Sequence, residues 1–177
     1  MIDINQWISI LTKPLETFKK HKKVEMGKAF WSIVIAGVIA GVIAALSNFV
    51  AIISVLGALG ASYWGYFLGT SIYTAFAPVI TIPVFAVIGW LGISWAIDLV
   101  AKSSKKKSNF DEVASRISLV LPPIMILGSI AIWIPFVGFA LRTLISLYGL
   151  YLVVLALNNY YKLGYKLPVI GFEGGKK

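Results

Sequence analysis

A run of 69 residues without one charged side chain, Ala29–Ile97, constrains this chain more than any other feature. Two further uncharged runs follow, Ile117–Leu141 with 25 residues and Thr143–Tyr161 with 19 residues. A helix needs about 20 consecutive apolar residues to cross the hydrocarbon core of a bilayer. A chain of 177 residues cannot hide so much apolar surface from water in one soluble core. The runs therefore predict a polytopic, all-α integral membrane protein.

The composition excludes several kinds of site. The chain has no cysteine, so a disulfide, a thiolate metal site and a cysteine nucleophile are ruled out. One histidine and seven acidic residues cannot supply a multi-histidine metal site. The sequence contains no P-loop, no Gly-x-Ser-x-Gly and no His-Glu-x-x-His motif. We therefore expect no enzymatic activity, no cofactor and no metal.

The formal net charge of +9 is concentrated in three basic clusters, at residues 1–28, 102–112 and 162–177. Clusters of lysine that flank apolar helices favour the cytoplasmic side of a membrane, which explains them without a nucleic acid. The pattern predicts that the N-terminus, the 102–112 loop and the C-terminus all face the cytoplasm.

An even number of spans must then separate each pair of basic clusters. Within a transmembrane domain of residues 29–161, this condition predicts four spans, at about 29–50, 77–100, 115–134 and 139–160. Residues 51–76 are apolar but rich in Gly, Ser, Tyr and Thr, and the Tyr and Trp side chains among them favour a membrane–water interface. We expect a re-entrant or interfacial segment there, and the alternative is a fifth span.

The N-terminal segment has the pattern of an amphipathic helix. Its apolar residues recur at spacings of three and four, with a break expected at Pro14. A helix of this kind, followed by lysines, is typical of one that lies in the headgroup layer and contacts anionic lipids. The lipid-contact candidates are Trp7, Phe18, Lys19, Lys20, Lys22 and Lys23. His21, within the lysine run, is expected to be solvated.

Small residues in the first span predict close helix packing. Gly37, Gly41 and Ala45 recur every four residues, a spacing that lets helix backbones approach one another. In the second span, Pro78 and Pro83 predict a kink. The small-residue face leaves room for a homo-oligomer or for another membrane protein as partner.

Few charges lie near the spans. Asp98 and Arg116 fall at the cytoplasmic edge, where we expect Asp98 to pair with Lys102 or Arg116. Arg142 lies near the outer end of the last span and can reach a lipid phosphate or a carbonyl of residues 51–76. After the loop lysines, Ser108 is expected to cap the next helix.

The sequence resembles the Yip family, the Rab-interacting membrane proteins, in its compact prokaryotic branch. The resemblance rests on Pro14–Phe18, on a proline-containing span that ends in a basic loop, on Ser108–Ala114 and on Ile134–Gly138. It covers roughly residues 11–167. Family members are usually described with five spans, whereas the parity of the basic clusters favours four.

The resemblance implies a non-enzymatic membrane protein with a role in membrane organisation or trafficking. Rab binding is not carried over, because the large N-terminal region of the eukaryotic members has no counterpart here. The first hypothesis is therefore a membrane scaffold or adaptor. The alternatives are a small channel or transporter, which would use the kinked second span, Asp98 and Arg142, and a subunit of a larger complex.

Overall fold

The computed structural model describes residues 4–21, 23–59, 64–104, 107–134 and 136–162. Lys22 and most of the basic tail 162–177 lie outside these ranges. The described part forms six helices: α1 (Ile4–Thr12), α2 (Pro14–Lys20), α3 (Met26–Leu59), α4 (Trp64–Ser103), α5 (Phe110–Ala131) and α6 (Gly138–Tyr161). The last four are long and apolar enough to cross a membrane. The predicted all-helical architecture with four long apolar helices is thus confirmed.

The α3–α4 hairpin is much longer than a bilayer is thick. Its helices have 34 and 40 residues, or about 51 and 60 Å, against a hydrocarbon core of about 30 Å. Residues 51–59 simply lengthen α3 and residues 64–76 lengthen α4, because no proline interrupts either stretch. Residues 60–63 lie outside the described ranges, and a re-entrant or interfacial position for 51–76 stays a prediction.

The turn between α5 and α6 shows how far this hairpin projects. The indole N–H of Trp133, in that turn, donates to the carbonyl of Ile43 at 3.3 Å. Sixteen residues separate Ile43 from the end of α3 at Leu59, which corresponds to about 24 Å of helix. The hairpin therefore continues well past the end of the other two long helices.

Helix α5 lies at the centre of the bundle. It packs against α3, α4, α6 and α1, while α2 packs against α6. Two apolar clusters hold these contacts. One contains Ile33 and Trp90 together with Ile117 of α5, and the other joins the N-terminal helices to α5 and α6.

The N-terminal segment breaks where proline predicts it. Helix α1 ends at Thr12 and α2 begins at Pro14, which has no backbone N–H to donate to the preceding turn. The predicted break is confirmed.

Part of the apolar face of this segment packs against α5 and α6. Ile10 and Phe18 are fully buried, in a cluster with Leu119, Val120, Leu152, Leu155 and Ala156. The hydroxyl of Tyr148 donates to the carbonyl of Leu11 at 2.8 Å. Ile4 and Ile8, which recur at the three- and four-residue spacing of the predicted apolar face that includes Phe18, are exposed. One part of the predicted apolar face therefore packs on α5 and α6, and another part is exposed. A position of the segment in the headgroup layer stays a prediction.

Candidate functional site

A polar cluster at the end of α4 is centred on Asp98, which is 5% exposed. One carboxylate oxygen is 2.7 Å from the ammonium of Lys102, and the other accepts the hydroxyl of Ser108 at 2.6 Å. The Ser108 hydroxyl also lies 2.8 Å from the hydroxyl of Tyr161. Of the two cations expected to pair with Asp98, the structure selects Lys102. The cluster ties the end of α4 to the loop before α5 and to the end of α6.

The start of α5 is capped by Asn109 and not by Ser108. The side-chain oxygen of Asn109 accepts the backbone N–H of Asp111 at 3.0 Å, which is the usual N-cap bond. The backbone N–H of Asn109 donates to the hydroxyl of Tyr160 at 3.2 Å. The predicted N-cap was one position too early in the sequence, because the hydroxyl of Ser108 donates to Asp98 instead.

Arg116 lies on α5, half-buried against α6. Its guanidinium is 5.0 Å from the centroid of the Tyr160 ring and 3.5 Å from the side-chain oxygen of Asn159. A cation over an aromatic face is stabilised by the ring quadrupole. Arg116 and Asp98 therefore lie near the same end of the bundle, in separate clusters.

His21 connects the N-terminal segment to α5. Its Nε2 atom lies 3.1 Å from the hydroxyl of Ser115, and the same hydroxyl accepts the backbone N–H of Val24 at 2.8 Å. Burial, and secondly the positive charge of Arg116, lower the pKa of His21, while Glu112 opposes them. The expectation of a solvated histidine was wrong, because the ring sits against a buried serine.

Trp90 and Ser115 are important residues that the sequence did not single out. The indole N–H of Trp90, which is 1% exposed, donates to the carbonyl of Ala114 at 2.8 Å and so joins α4 to α5. A tryptophan among many in an apolar run gives no signal of its own. For Ser115, the only signal is a serine on the face of α5 that also carries buried apolar residues.

The predicted glycine face lies against the proline side of α4. A Cβ atom on Gly37 would lie 2.6 Å from the Cα of Pro83, and one on Gly41 would lie 2.5 Å from the carbonyl oxygen of Pro78. Ala45 is buried one turn further along α3. The two backbones are in contact at these positions, so only glycine fits there.

The predicted lipid-contact residues lie in different surroundings. Phe18 is buried and Trp7 is half-buried, whereas Lys19 and Lys20 are exposed. Lys23 pairs with Asp111 at 3.0 Å, and both side chains remain partly exposed. Arg142, at the opposite end of the bundle, has its side-chain stem beside Gly128 of α5. The structure therefore does not bring Arg142 together with the lysines.

Two cavities open between the N-terminal helices and the first turns of α3. One, of about 560 Å³, is lined mainly by polar and charged side chains, and the other, of about 740 Å³, includes Trp7, Trp31 and Ile35. They share five lining residues: Gln6, Val24, Glu25, Lys28 and Leu119. Together they form one groove, in which one end is charged and the other has an apolar edge.

These contacts place the ends of the described basic segments together. Lys23 reaches Asp111 at the start of α5, and Ser108 reaches Tyr161 at the end of α6. The N-terminal segment, residues 107–109 and the end of α6 thus lie at one end of the bundle, here called the loop end. This is the arrangement that an even number of spans between basic clusters requires.

Comparison with known proteins adds one finding. The family model described as Yip1 domain matches residues 8–172. Neither the curated proteins nor the solved structures contain a match.

Proposed function

The chain belongs to the Yip1 domain family, and on that premise we propose that it is a non-enzymatic membrane scaffold or adaptor of the compact prokaryotic type. It acts through helix surfaces, in membrane organisation or a related process. The single observation that carries this proposal is the open outer face of α4. Only 11% of its most apolar window is buried within the chain.

The outer face of α4 offers a broad apolar surface to neighbours in the membrane. Its exposed large side chains include Ile80, Phe85, Ile88, Trp95 and Val100. A scaffold needs such a surface, since helices associate in lipid by close packing. A channel or transporter needs polar groups that converge along a path through the membrane. The polar contacts described above, those of Asp98, Arg116 and His21, instead gather at the loop end.

We also propose that the loop end faces the cytoplasm, in a prokaryotic cytoplasmic membrane. The lysines of residues 1–28 and of the 102–112 loop support this orientation. Cysteine labelling at Ser104, in a chain that has no cysteine of its own, reports the side directly. Labelling of intact spheroplasts from the outside would contradict the orientation.

Cross-linking in native membranes tests the scaffold role. We compare Phe85→Cys on the outer face of α4 with Leu150→Cys on α6, both well exposed and both in a cysteine-free background. A cysteine-specific cross-linker should give a discrete product of higher mass, a second copy or a defined membrane protein, from Phe85→Cys alone. Monomer from both variants would rule the scaffold out.

A flux assay separates the scaffold from its main alternative. The full-length protein is reconstituted into vesicles loaded with ions and small solutes, and release is compared with empty vesicles. A scaffold leaves the rate unchanged. A selective increase that Asp98→Asn abolishes would establish a channel or transporter instead.

A further inference from the structure

The charged end of the groove carries an excess of positive charge. Four lysines line it, Lys13, Lys20, Lys23 and Lys28, against Glu16 and Glu25. Lys23 and Lys28 are paired with Asp111 and Glu25. Within the described ranges, Lys13 and Lys20 form no ion pair, so their charge is available to a ligand. His21 lines the same end and adds a polar ring.

The other end of the groove has an apolar edge beside three serine side chains. It is bordered by Trp31 and Ile35 of α3, both exposed on the surface of a long apolar helix. Leu119 of α5 lines both ends. A soluble anion could use only the charged end, whereas an amphiphile could use both.

The groove also has the right depth for a lipid. Ser115 lies five residues and Leu119 nine residues from the start of α5 at Phe110, or about 8 and 14 Å along the helix. The groove therefore runs from the level of the helix ends into the apolar part of the bundle. A phospholipid bridges the same two environments at the boundary of a bilayer.

We propose that this groove holds one anionic phospholipid, with its phosphate between Lys13 and Lys20 and an acyl chain against Trp31 and Ile35. The lipid joins the N-terminal helices to α3, which they otherwise meet across the cavities. The site does not depend on the scaffold role, because none of its lining residues lies on the outer face of α4.

Native mass spectrometry of the full-length protein in mild detergent tests the site. The probes are phosphatidylglycerol, phosphatidylcholine with the same acyl chains, and glycerol phosphate as the soluble phosphate ester. We expect one phosphatidylglycerol to be retained in preference to the other two. Equal retention of phosphatidylcholine would overturn the proposal. Binding of glycerol phosphate as tight as that of phosphatidylglycerol would show a soluble-anion site and would overturn it too.

Paired substitutions distinguish a specific lipid site from the general attraction of a positively charged protein for anionic lipid. Lys13→Gln with Lys20→Gln should weaken phosphatidylglycerol binding roughly tenfold to thirtyfold, from the usual contribution of a lysine near an anionic surface. The control pair, Lys107→Gln with Lys162→Gln, removes the same charge from exposed positions at the loop end and should have little effect. An equal loss in both pairs would overturn the site.

A charge-conserving pair shows whether a loss of lipid binding comes from the lost charges or from a loss of folded structure. Lys13→Arg with Lys20→Arg keeps both charges and should retain the lipid. The thermal stability of each variant in neutral detergent should match that of the unaltered protein, because Lys13 and Lys20 are exposed and unpaired within the described part. Failure of the arginine pair to bind, with unchanged thermal stability, would contradict a charge-based headgroup site.

Discussion

Helices α4 and α5 are both apolar enough to span a membrane, yet their surroundings are opposite. The most apolar window of α4 has a mean hydropathy of 2.1 and is 11% buried within the chain, whereas that of α5 has a mean hydropathy of 1.7 and is 56% buried. The more apolar helix is the more exposed one. In a water-soluble protein this order would be reversed, so the comparison is that of a helix whose outer face meets the membrane interior, as lipid or as a neighbouring helix.

The side chains of α5 explain the difference. Ser115, Ser118 and Ser129 are all buried on this helix, and the hydroxyls of Ser118 and Ser129 donate to backbone carbonyls one turn earlier. Small hydroxyl residues let helices approach closely and keep their polar atoms satisfied. The interior around α5 thus combines small hydroxyl side chains with the large apolar residues of the two clusters, such as Trp90 and Phe18. Substitutions should therefore lower the free energy of unfolding strongly at positions packed around α5 and only slightly on the outer face of α4.

The largest effect is expected from Gly41→Leu. The new side chain would meet the backbone of α4 at Pro78, which cannot move aside, so we expect a loss of about 4 kcal/mol in the free energy of unfolding. Gly92→Leu is the matched control on α4, because no atom lies within 4 Å of a Cβ built there. Reversible denaturation in mixed micelles measures both. Equal stability of the two variants would show that the α3–α4 contact can repack.

The next effect is expected from Phe18→Ala. Phe18 is 1% exposed and lies in the cluster with α5 and α6, so its truncation should cost about 3 kcal/mol. Phe85→Ala removes the same ring from the outer face of α4, outside the two clusters, and should change the free energy of unfolding little. If Phe18→Ala is also neutral, the N-terminal segment is held by the membrane and not by the bundle.

A smaller effect is expected at the tryptophans of α4. Trp90→Phe loses the hydrogen bond to the carbonyl of Ala114 and should cost about 1–2 kcal/mol. Trp95, which is 61% exposed on the same helix, should tolerate the same change. Thermal unfolding in a single detergent compares the two. A larger loss from Trp95→Phe would mean that the outer face of α4 is covered by a second copy or by another protein.

The smallest effect is expected from the titration of His21. Because burial lowers its pKa from the ordinary value of 6.5, the unfolded chain takes up a proton before the folded chain does. Stability should be full above about pH 6.5 and should fall as the pH drops through that value toward the lower pKa of the folded state. This is the only histidine in the chain, so His21→Gln should flatten the profile in that window. An unchanged profile would assign the pH dependence to other groups.

Much of the architecture could be predicted from the spacing of charges alone. The uncharged runs predicted membrane-spanning helices, because a charge in hydrocarbon is costly whatever surrounds it. The positions of the basic clusters between the runs then favoured four spans over five. The break at Pro14 was predictable too, since proline lacks the N–H that a continuing helix needs. The ends of α3 and α4 were not, because apolar sequence continues past the thickness of the bilayer with nothing to stop the helix.

The contacts within the polar clusters were harder to predict. The serine at 108 and the asparagine at 109 are both good helix caps, and only the position of Asp98 decides which of them is free for that role. His21 and Ser115 are 94 residues apart in the chain, so no local pattern links them. The division of the N-terminal apolar face likewise follows from where α5 and α6 lie.

The sequence by itself determined that this chain is a helical membrane protein, where its apolar runs lie and which segments are basic. These properties depend on each residue type by itself, through the free energy of placing it in lipid or at the interface. Only the tertiary structure decided that α5 is central, that α4 faces outward and that a groove with a charged end and an apolar edge lies beneath the N-terminal helices. Those properties depend on which surfaces meet, and nearly uniform apolar helices carry little information about their neighbours.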